Sequence, residues 1–326
     1  MTEFAGDRID VVVHRRIAEA DGVVGLELRH AGGAPLPPWT PGAHVDLILP
    51  SGLVRQYSLC GDVTDRGHYR IAVLRDARSR GGSIEIHDTI TTQQELQIRG
   101  PRNHFALSPA AQYLFIAGGI GITPILPMIR HVESEGIPWT LAYGGRSLSS
   151  MAFVDEVRST RGGSVHIVAQ DRCGLLDLDR LFADASPAAE VYCCGPEALL
   201  QAVLDRSVAD VPARPVHLER FGAAPDANLT DNANHAANHE FIVELKRSGR
   251  WLTVPPNRTL LDVVRETNPD VSFSCEEGYC GSCETGVIEG IPDHRDTLLS
   301  KEEREAGRSM MICVSRSKTR RLVLDL

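Results

Sequence analysis

Apolar positions along the chain change their spacing twice, and each change marks a different kind of element. Over the first hundred residues they alternate with polar ones in short runs. Ile9-Asp10-Val11-Val12-Val13 opens, Val24-Gly25-Leu26-Glu27-Leu28 follows, and Val45-Asp46-Leu47-Ile48-Leu49 comes after the Pro- and Gly-rich segment 35–42. A period of two marks half-buried strands, so this part predicts a small antiparallel barrel. From Gln112 the texture changes to strands alternating with helical segments: Tyr113 to Ala117 is continuously apolar and reads as a buried strand, and further strands follow at Trp139 to Tyr143, Ser164 to Val168 and Glu190 to Cys193. Strands alternating with crossover helices predict a parallel α/β sheet. After the first of these strands comes Gly118-Gly119-Ile120-Gly121-Ile122-Thr123-Pro124, a glycine turn leading into a helix, with Thr123 as the expected cap and Pro124 as the first helical residue. Pro127 then falls in the second turn, which predicts a late start or a kink.

The third texture begins past Phe221. Residues 223–238 are poor in large apolar side chains and predict a flexible tether, in which His235 and His239 read as exposed histidines without a third ligand. Beyond it Phe241, Val243 and Leu245 alternate, as do Leu252 and Val254, predicting a hairpin. Leu260 to Val264 predicts a short helix, Ser300-Lys301-Glu302-Glu303 a capping box, and Arg321 to Leu326 a closing strand. The expected domains are therefore residues 1–106, 107–222 and 240–326, with 223–239 as linker.

Composition narrows the class. With 326 residues the chain can bury several cores, and 42% apolar with 24% charged residues is ordinary for a globular protein. A net charge of -9 argues against nucleic-acid binding, and no apolar run reaches the length of a membrane span. The polar N-terminus shows no secretory pattern, so the expected location is the cytoplasm and the eight cysteines are expected to be ligands or buried thiols rather than disulfides.

Four of those cysteines carry the clearest chemistry. Cys275, Cys280 and Cys283 form C-x4-C-x2-C, and Cys313 follows at a distance, the spacing that wraps a plant-type 2Fe-2S cluster. Gly278 and Gly281 allow the loop to curl so that backbone N–H groups can face sulfur. The alternative is a four-cysteine zinc site, which usually shows two tight C-x2-C pairs. Elsewhere, Arg55 and Tyr57 share one face of a predicted strand with Ser58 on the other, an arrangement that packing alone also produces. Ser79-Arg80-Gly81-Gly82-Ser83 precedes a helix-like stretch and suits a phosphate, or equally a solvent turn. Cys194-Gly195-Pro196 lies at the carboxyl end of a strand, where open α/β sheets bind ligands. Cys193 reads as a small core residue, and Cys60 and Cys173 show no pattern.

In their order, Arg55-x-Tyr57-Ser58-Leu59, Arg80-Gly81-Gly82-Ser83 and Gly100-Pro101-Arg102-Asn103-His104-Phe105 resemble the flavin domain of the ferredoxin reductase superfamily. With the cysteine motif, nearly the whole chain resembles the phthalate dioxygenase reductase family, which includes vanillate demethylase reductases. The resemblance implies a multidomain α/β and β fold: an antiparallel flavin-binding β-barrel, a ferredoxin-reductase-type parallel α/β nucleotide domain and a C-terminal β-grasp plant-type ferredoxin. It implies that Arg55, Arg80, Gly81, Gly82 and Ser83 hold the FMN phosphate, that Tyr57 and Ser58 flank the flavin, and that backbone from Ile71 to Val73 meets its rim. Gly118, Gly119, Gly121, Thr123 and Pro124 match the superfamily's G-G-x-G-x-T-P turn, which would receive the NAD pyrophosphate. Cys194, with Gly195 and Pro196, would lie beside the nicotinamide, and Phe221, otherwise a core aromatic, would lie against the flavin ring. Asp171 would accept from the adenosine ribose and favour NADH, while Arg146 and Arg172 argue for a 2'-phosphate. Ser58, Cys194 and Phe221 are thus the expected catalytic set. The implied activity passes electrons from NADH through FMN and the cluster to a Rieske-type oxygenase. The alternatives are an iron-sulfur redox sensor or interaction module, or donation to a different acceptor.

Overall fold

A computed structural model of the chain describes residues 8–76, 81–210, 214–222, 238–269, 271–273 and 275–326. The chain divides into two compact units, Met1–Arg220 and Phe221–Leu326.

The first unit begins with strands β1 (Ile9–Ala20), β2 (Val23–His30), β3 (His44–Ile48), β4 (Val54–Ser58) and β5 (Tyr69–Leu74), then helix α1 (Gly82–Thr89) and strand β6 (Glu95–Arg102). These strands form one antiparallel sheet in the order β4-β3-β6-β1-β2-β5. The sheet curls on itself, because the backbone just past β4 reaches β5 through the Cys60 N–H to the Arg70 carbonyl, 2.8 Å. The alternation read from the sequence points inward here: Val11, Val13, Leu26, Leu28, Val45 and Leu47 are fully buried in one core. β1 is longer than its opening pattern suggested, and its outer half survives because it pairs β2 along its length with two register shifts.

The second half of this unit comprises β7 (Tyr113–Gly118), α2 (Ile122–Ser134), β8 (Trp139–Gly145), α3 (Val154–Ser159), β9 (Ser164–Ala169), α4 (Gln170–Cys173), α5 (Leu178–Asp184), β10 (Glu190–Cys194), α6 (Glu197–Val208) and β11 (Val216–Glu219). All five strands run parallel in the order β11-β10-β7-β8-β9. The chain moves outward from β7 in one direction through β8 and β9, then returns to the other side of β7 with β10. A crevice therefore opens at the carboxyl ends of β7 and β10.

Thr123 does not cap α2. The chain passes directly from a 3-10 turn, Gly119–Gly121, into the helix, and Gly121 is the cap because it alone fits there: a Cβ would lie 2.2 Å from the Cys194 carbonyl oxygen. The Thr123 hydroxyl instead donates to the Ile120 carbonyl at 2.9 Å. Pro124 becomes the third helical residue, where an N–H would lack an intrahelical acceptor. The helix also runs through Pro127 without starting late. Proline inside a helix costs about 3 kcal/mol, but every residue from Ile122 to Ile129 is buried, and that packing outweighs the lost bond.

The second unit contains β12 (Phe241–Leu245), β13 (Arg250–Val254), α7 (Leu260–Arg265), β14 (Glu284–Glu289), β15 (Pro292–Asp293), α8 (Lys301–Ala306), β16 (Ser309–Met311), β17 (Arg316–Ser317) and β18 (Arg321–Leu324). Its main sheet, β13-β12-β18-β14-β16, sets β12 parallel to β18 between antiparallel neighbours, and α7 packs its apolar face into the same core, giving a β-grasp. Both helices are fixed by reciprocal caps. Thr259 and Asp262 close α7, while Ser300 and Glu303 close α8, as the sequence predicted for the latter. The predicted tether, with His235, falls almost wholly outside the described residues. Among the described residues no helix is long and apolar enough to cross a membrane.

Candidate electron-transfer sites

At the mouth of the crevice, glycines appear where two backbones must nearly touch. A Cβ on Gly118 would come within 2.7 Å of Pro196 Cδ, and one on Gly195 within 3.0 Å of Gly118. The turns after β7 and β10 therefore abut, and their N–H groups lie together at the start of α2 and α6, the arrangement that accepts a pyrophosphate. Gly119 has φ 55° and an open space where a side chain would be. At the carboxyl ends of β8 and β9, Arg146 and Asp171 are exposed, and the Asp171 N–H donates to the Arg146 carbonyl at 3.0 Å. The two residues that argued for different nucleotides thus sit side by side, with Arg172 also exposed.

The barrel meets this crevice through the end of β4. Ser58 Oγ donates to Glu219 at 3.3 Å, and the Cys194 thiol lies 4.0 Å from the same carboxylate oxygen. Glu219 was missed in the sequence, where His217 to Gly222 read only as the end of a domain. Its signal was faint: an acidic residue two positions before a Phe, on a strand whose register pairs it with Cys194. Some of its surface reaches solvent, yet the surrounding protein desolvates the carboxyl and pushes its pKa up to about 8, against the Ser58 hydrogen bond that lowers it. Glu219 therefore holds a proton at neutral pH. Burial first, then the Glu219 charge, raises the Cys194 thiol well above its ordinary value, so it stays a thiol. Cys193 points to the other side of the sheet and packs with Leu114 and Phe182.

Arg55 lies against the start of α1, where a Cβ on Gly82 would be 2.6 Å from Arg55 Cγ. Gly81 caps that helix with φ 90°, and the Ser83 hydroxyl accepts from the Asp76 N–H at 3.2 Å. A guanidinium, a helix N-terminus and missing Cβ atoms form a cradle that fits a terminal phosphate. Arg80 and Ser79 lie outside the described residues. Tyr57 packs on the barrel core, and burial raises its phenol pKa. Ile71 and Val73 turn their side chains inward, and the Val73 carbonyl receives His87 Nε2 at 2.9 Å. Phe221 is 41% exposed at the chain boundary between the units.

In the second unit Cys275, Cys280, Cys283 and Cys313 are all buried, and their thiols touch in sequence: Cys275 meets Cys280 and Cys313, and Cys313 meets Cys283. The loop curls through Glu276, Gly278 and Gly281 with φ of 56°, 75° and 76°. Gly278 is required by contact as well, since a Cβ would lie 2.6 Å from Val314 and 3.0 Å from Asp296 Cα. The Thr297 N–H holds the Gly278 carbonyl at 3.0 Å, and the Glu277 N–H points at Cys275 sulfur, 3.3 Å away. Contact with Cys275, then burial, raises the Cys280 pKa, and bound iron would supply the countercharge that a cysteine ligand needs to ionise. The donor set fits a binuclear cluster with two sulfurs per iron.

Comparison with known proteins agrees with this geometry. Residues 243–318 match the family described as "2Fe-2S iron-sulfur cluster binding domain". The chain is 43% identical over 320 residues to the phenoxybenzoate dioxygenase subunit beta of Ectopseudomonas oleovorans, covering 98% of this chain and 97% of that one. The solved structure of phthalate dioxygenase reductase, described as modular for electron transfer from pyridine nucleotides to [2Fe-2S], has 39% identity, a TM-score of 0.69 and 98% coverage of both chains. An intact type IV self-sufficient cytochrome P450 monooxygenase matches with 41% identity and a TM-score of 0.86 over 98% of this chain, which spans only 41% of that protein.

Proposed function

The chain belongs to the phthalate dioxygenase reductase family of oxygenase reductase components, and we propose how its residues divide the work of carrying electrons from NADH to an oxygenase. FMN, held by the barrel residues, would supply the conversion of a hydride into single electrons that a two-electron donor and a one-electron cluster require. Residues 1–106 hold the flavin, with Arg55, Arg80, Gly81, Gly82 and Ser83 on its phosphate and Tyr57, Ser58 and the Ile71–Val73 backbone along its ring. Residues 107–222 hold NADH, with its pyrophosphate over Gly118, Gly119, Gly121, Thr123 and Pro124 and its nicotinamide beside Cys194, Gly195 and Pro196. Asp171 and Arg146 meet the adenosine ribose. Phe221 is the aromatic assigned to the flavin ring. Cys275, Cys280, Cys283 and Cys313 hold the cluster in residues 240–326. The protein itself keeps a proton at this site: Glu219 carries it at neutral pH, and Ser58 Oγ donates a hydrogen bond to the same carboxyl at 3.3 Å.

The observation that carries this reading is the meeting of Ser58 from the barrel with Cys194 and Glu219 from the parallel sheet, at the switch point where ligands of such sheets bind. Buried thiols held as ligands suit a reducing cytoplasm. Anaerobic mixing with NADH tests the scheme. Flavin absorbance should bleach first and cluster absorbance next, and an added Rieske-type oxygenase should then turn over. A protein whose cluster stays oxidised under NADH would refute it. Chromatography of the released flavin should yield FMN, since the cradle at α1 suits a terminal phosphate; FAD would overturn that assignment.

A second reading changes only the acceptor. A similar module forms part of a cytochrome P450 monooxygenase chain at a TM-score of 0.86, which favours a P450 haem protein as the recipient in this reading. Supplying each acceptor in turn to reduced protein distinguishes the two.

A further inference from the structure

The barrel and the parallel sheet are joined by a chain of charges that no cofactor site uses. Glu19 on β1 pairs with Arg70 on β5 at 2.9 Å, both in the barrel. Arg70 crosses to Glu156 on α3 at 3.1 Å, and Glu156 in turn pairs with Arg130 on α2. Arg130 then crosses back, its Nη1 donating to the carbonyls of Cys60 at 3.0 Å and Gly61 at 2.6 Å. The guanidinium of Arg70 also stacks on Phe153, 4.6 Å from the ring centre. Phe153 itself has φ 62°, a left-handed backbone that costs an aromatic residue strain and here sets its ring beneath the cation. Glu19 is only 9% exposed, and the other members are between 23% and 31% exposed, so solvent screens the chain only in part.

What gives this chain meaning is where its ends attach. Arg130 belongs to the helix whose N-terminus is the glycine turn Gly118–Gly121, and the carbonyls that it grips come two and three residues after Ser58. One side chain thus ties the element that holds the dinucleotide to the strand end that faces the flavin. Hydride transfer requires donor and acceptor atoms within about 3–3.5 Å, and a displacement of about 1 Å can cost roughly 100-fold in rate. We infer that the Glu19–Arg70–Glu156–Arg130 chain is a positioning device for hydride transfer, with Arg130 as the residue that fixes the nicotinamide's approach to the flavin. This rests on the function proposed above.

The test uses the full-length holoprotein and compares Arg130→Met, Arg130→Lys and Glu19→Gln. In Arg130→Met, flavin reduction at saturating NADH should slow by roughly 10- to 100-fold. The long-wavelength charge-transfer absorbance of the NADH complex should weaken as well. Flavin content, reduction by dithionite and the NADH concentration for half-saturation should change little. Arg130→Lys should recover part of the rate, because an ammonium can still reach one carbonyl. Glu19→Gln should have a smaller effect, since both crossings remain. Wild-type rate with an unchanged charge-transfer band in Arg130→Met would overturn the inference. So would a loss felt only as weaker NADH binding, or an equal loss in Glu19→Gln, which would mark general loosening. Failure of NADH to reduce the wild-type flavin would instead refute the proposed function.

Discussion

Two side chains give separable predictions. Replacing Cys280 by Ser removes one of the four proposed sulfur ligands from a buried cradle and should abolish the iron-sulfur absorption, while flavin should remain bound because the residues proposed for its phosphate lie in the other unit. Metal and labile-sulfide analysis checks this, and zinc without sulfide in the wild type would contradict the cluster assignment. Glu219 predicts a pH effect of definite sign. Its folded pKa is raised from the ordinary 4.5 to about 8, so the folded protein keeps a proton that the unfolded chain releases. Folding stability contributed by this group is full below about pH 4.5 and lost as pH rises through about 8. Glu219→Gln cannot ionise, so its melting temperature should hold up better than that of wild type between those limits. A melting series across pH reads the difference, and parallel curves would show that the carboxyl is not desolvated. Glu219 was illegible in the sequence because the burial that raises its pKa is created by protein remote along the chain, where Ser58 and Cys194 lie beside its carboxylate.

At the scale of elements, close approach explains the dinucleotide turn better than flexibility does. Gly121 has φ -62°, which any residue can adopt, yet a Cβ there would lie 2.2 Å from the Cys194 oxygen and 2.5 Å from its carbon. Gly121→Ala should push α2 off β10 and destabilise the first unit by about 1–3 kcal/mol, the usual cost of overpacking. It should also raise the KM for NADH. Thermal melting and steady-state kinetics test both, and an alanine variant with wild-type values in each would show that the turns can separate freely. The motif was visible as a string of residues, but the cap position was not. Ser300 and Glu303 satisfy each other locally and were legible, whereas Gly121 caps α2 because β10 lies across it.

For the whole molecule, the two units suggest a cut. Truncation after Phe221 should preserve NADH-driven reduction of ferricyanide, a small acceptor that takes electrons directly from flavin, and should abolish transfer to the oxygenase. The ratio of the two activities in full-length and truncated protein is the measurement. Undiminished oxygenase turnover without the second unit would mean that the cluster is not the obligatory exit. In the intact protein Glu276, Glu277 and Glu284, beside the cluster ligands, should make transfer to a basic partner surface fall as salt rises.

By itself the sequence determined the kinds of sheet, through an apolar period of two and through strands alternating with helical segments, and it singled out Cys275, Cys280 and Cys283 as proposed cluster ligands, through the spacing of one short loop. Both are local: a strand's faces follow from its pleat, and a cradle's geometry follows from the loop that forms it. Tertiary structure alone decided what meets across strands remote in the chain. It added β11 to the sheet, brought Glu219 to Ser58, and tied Arg130 to the carbonyls of Cys60 and Gly61. Those contacts depend on strand order and domain packing, and residue spacing along the chain carries no record of either.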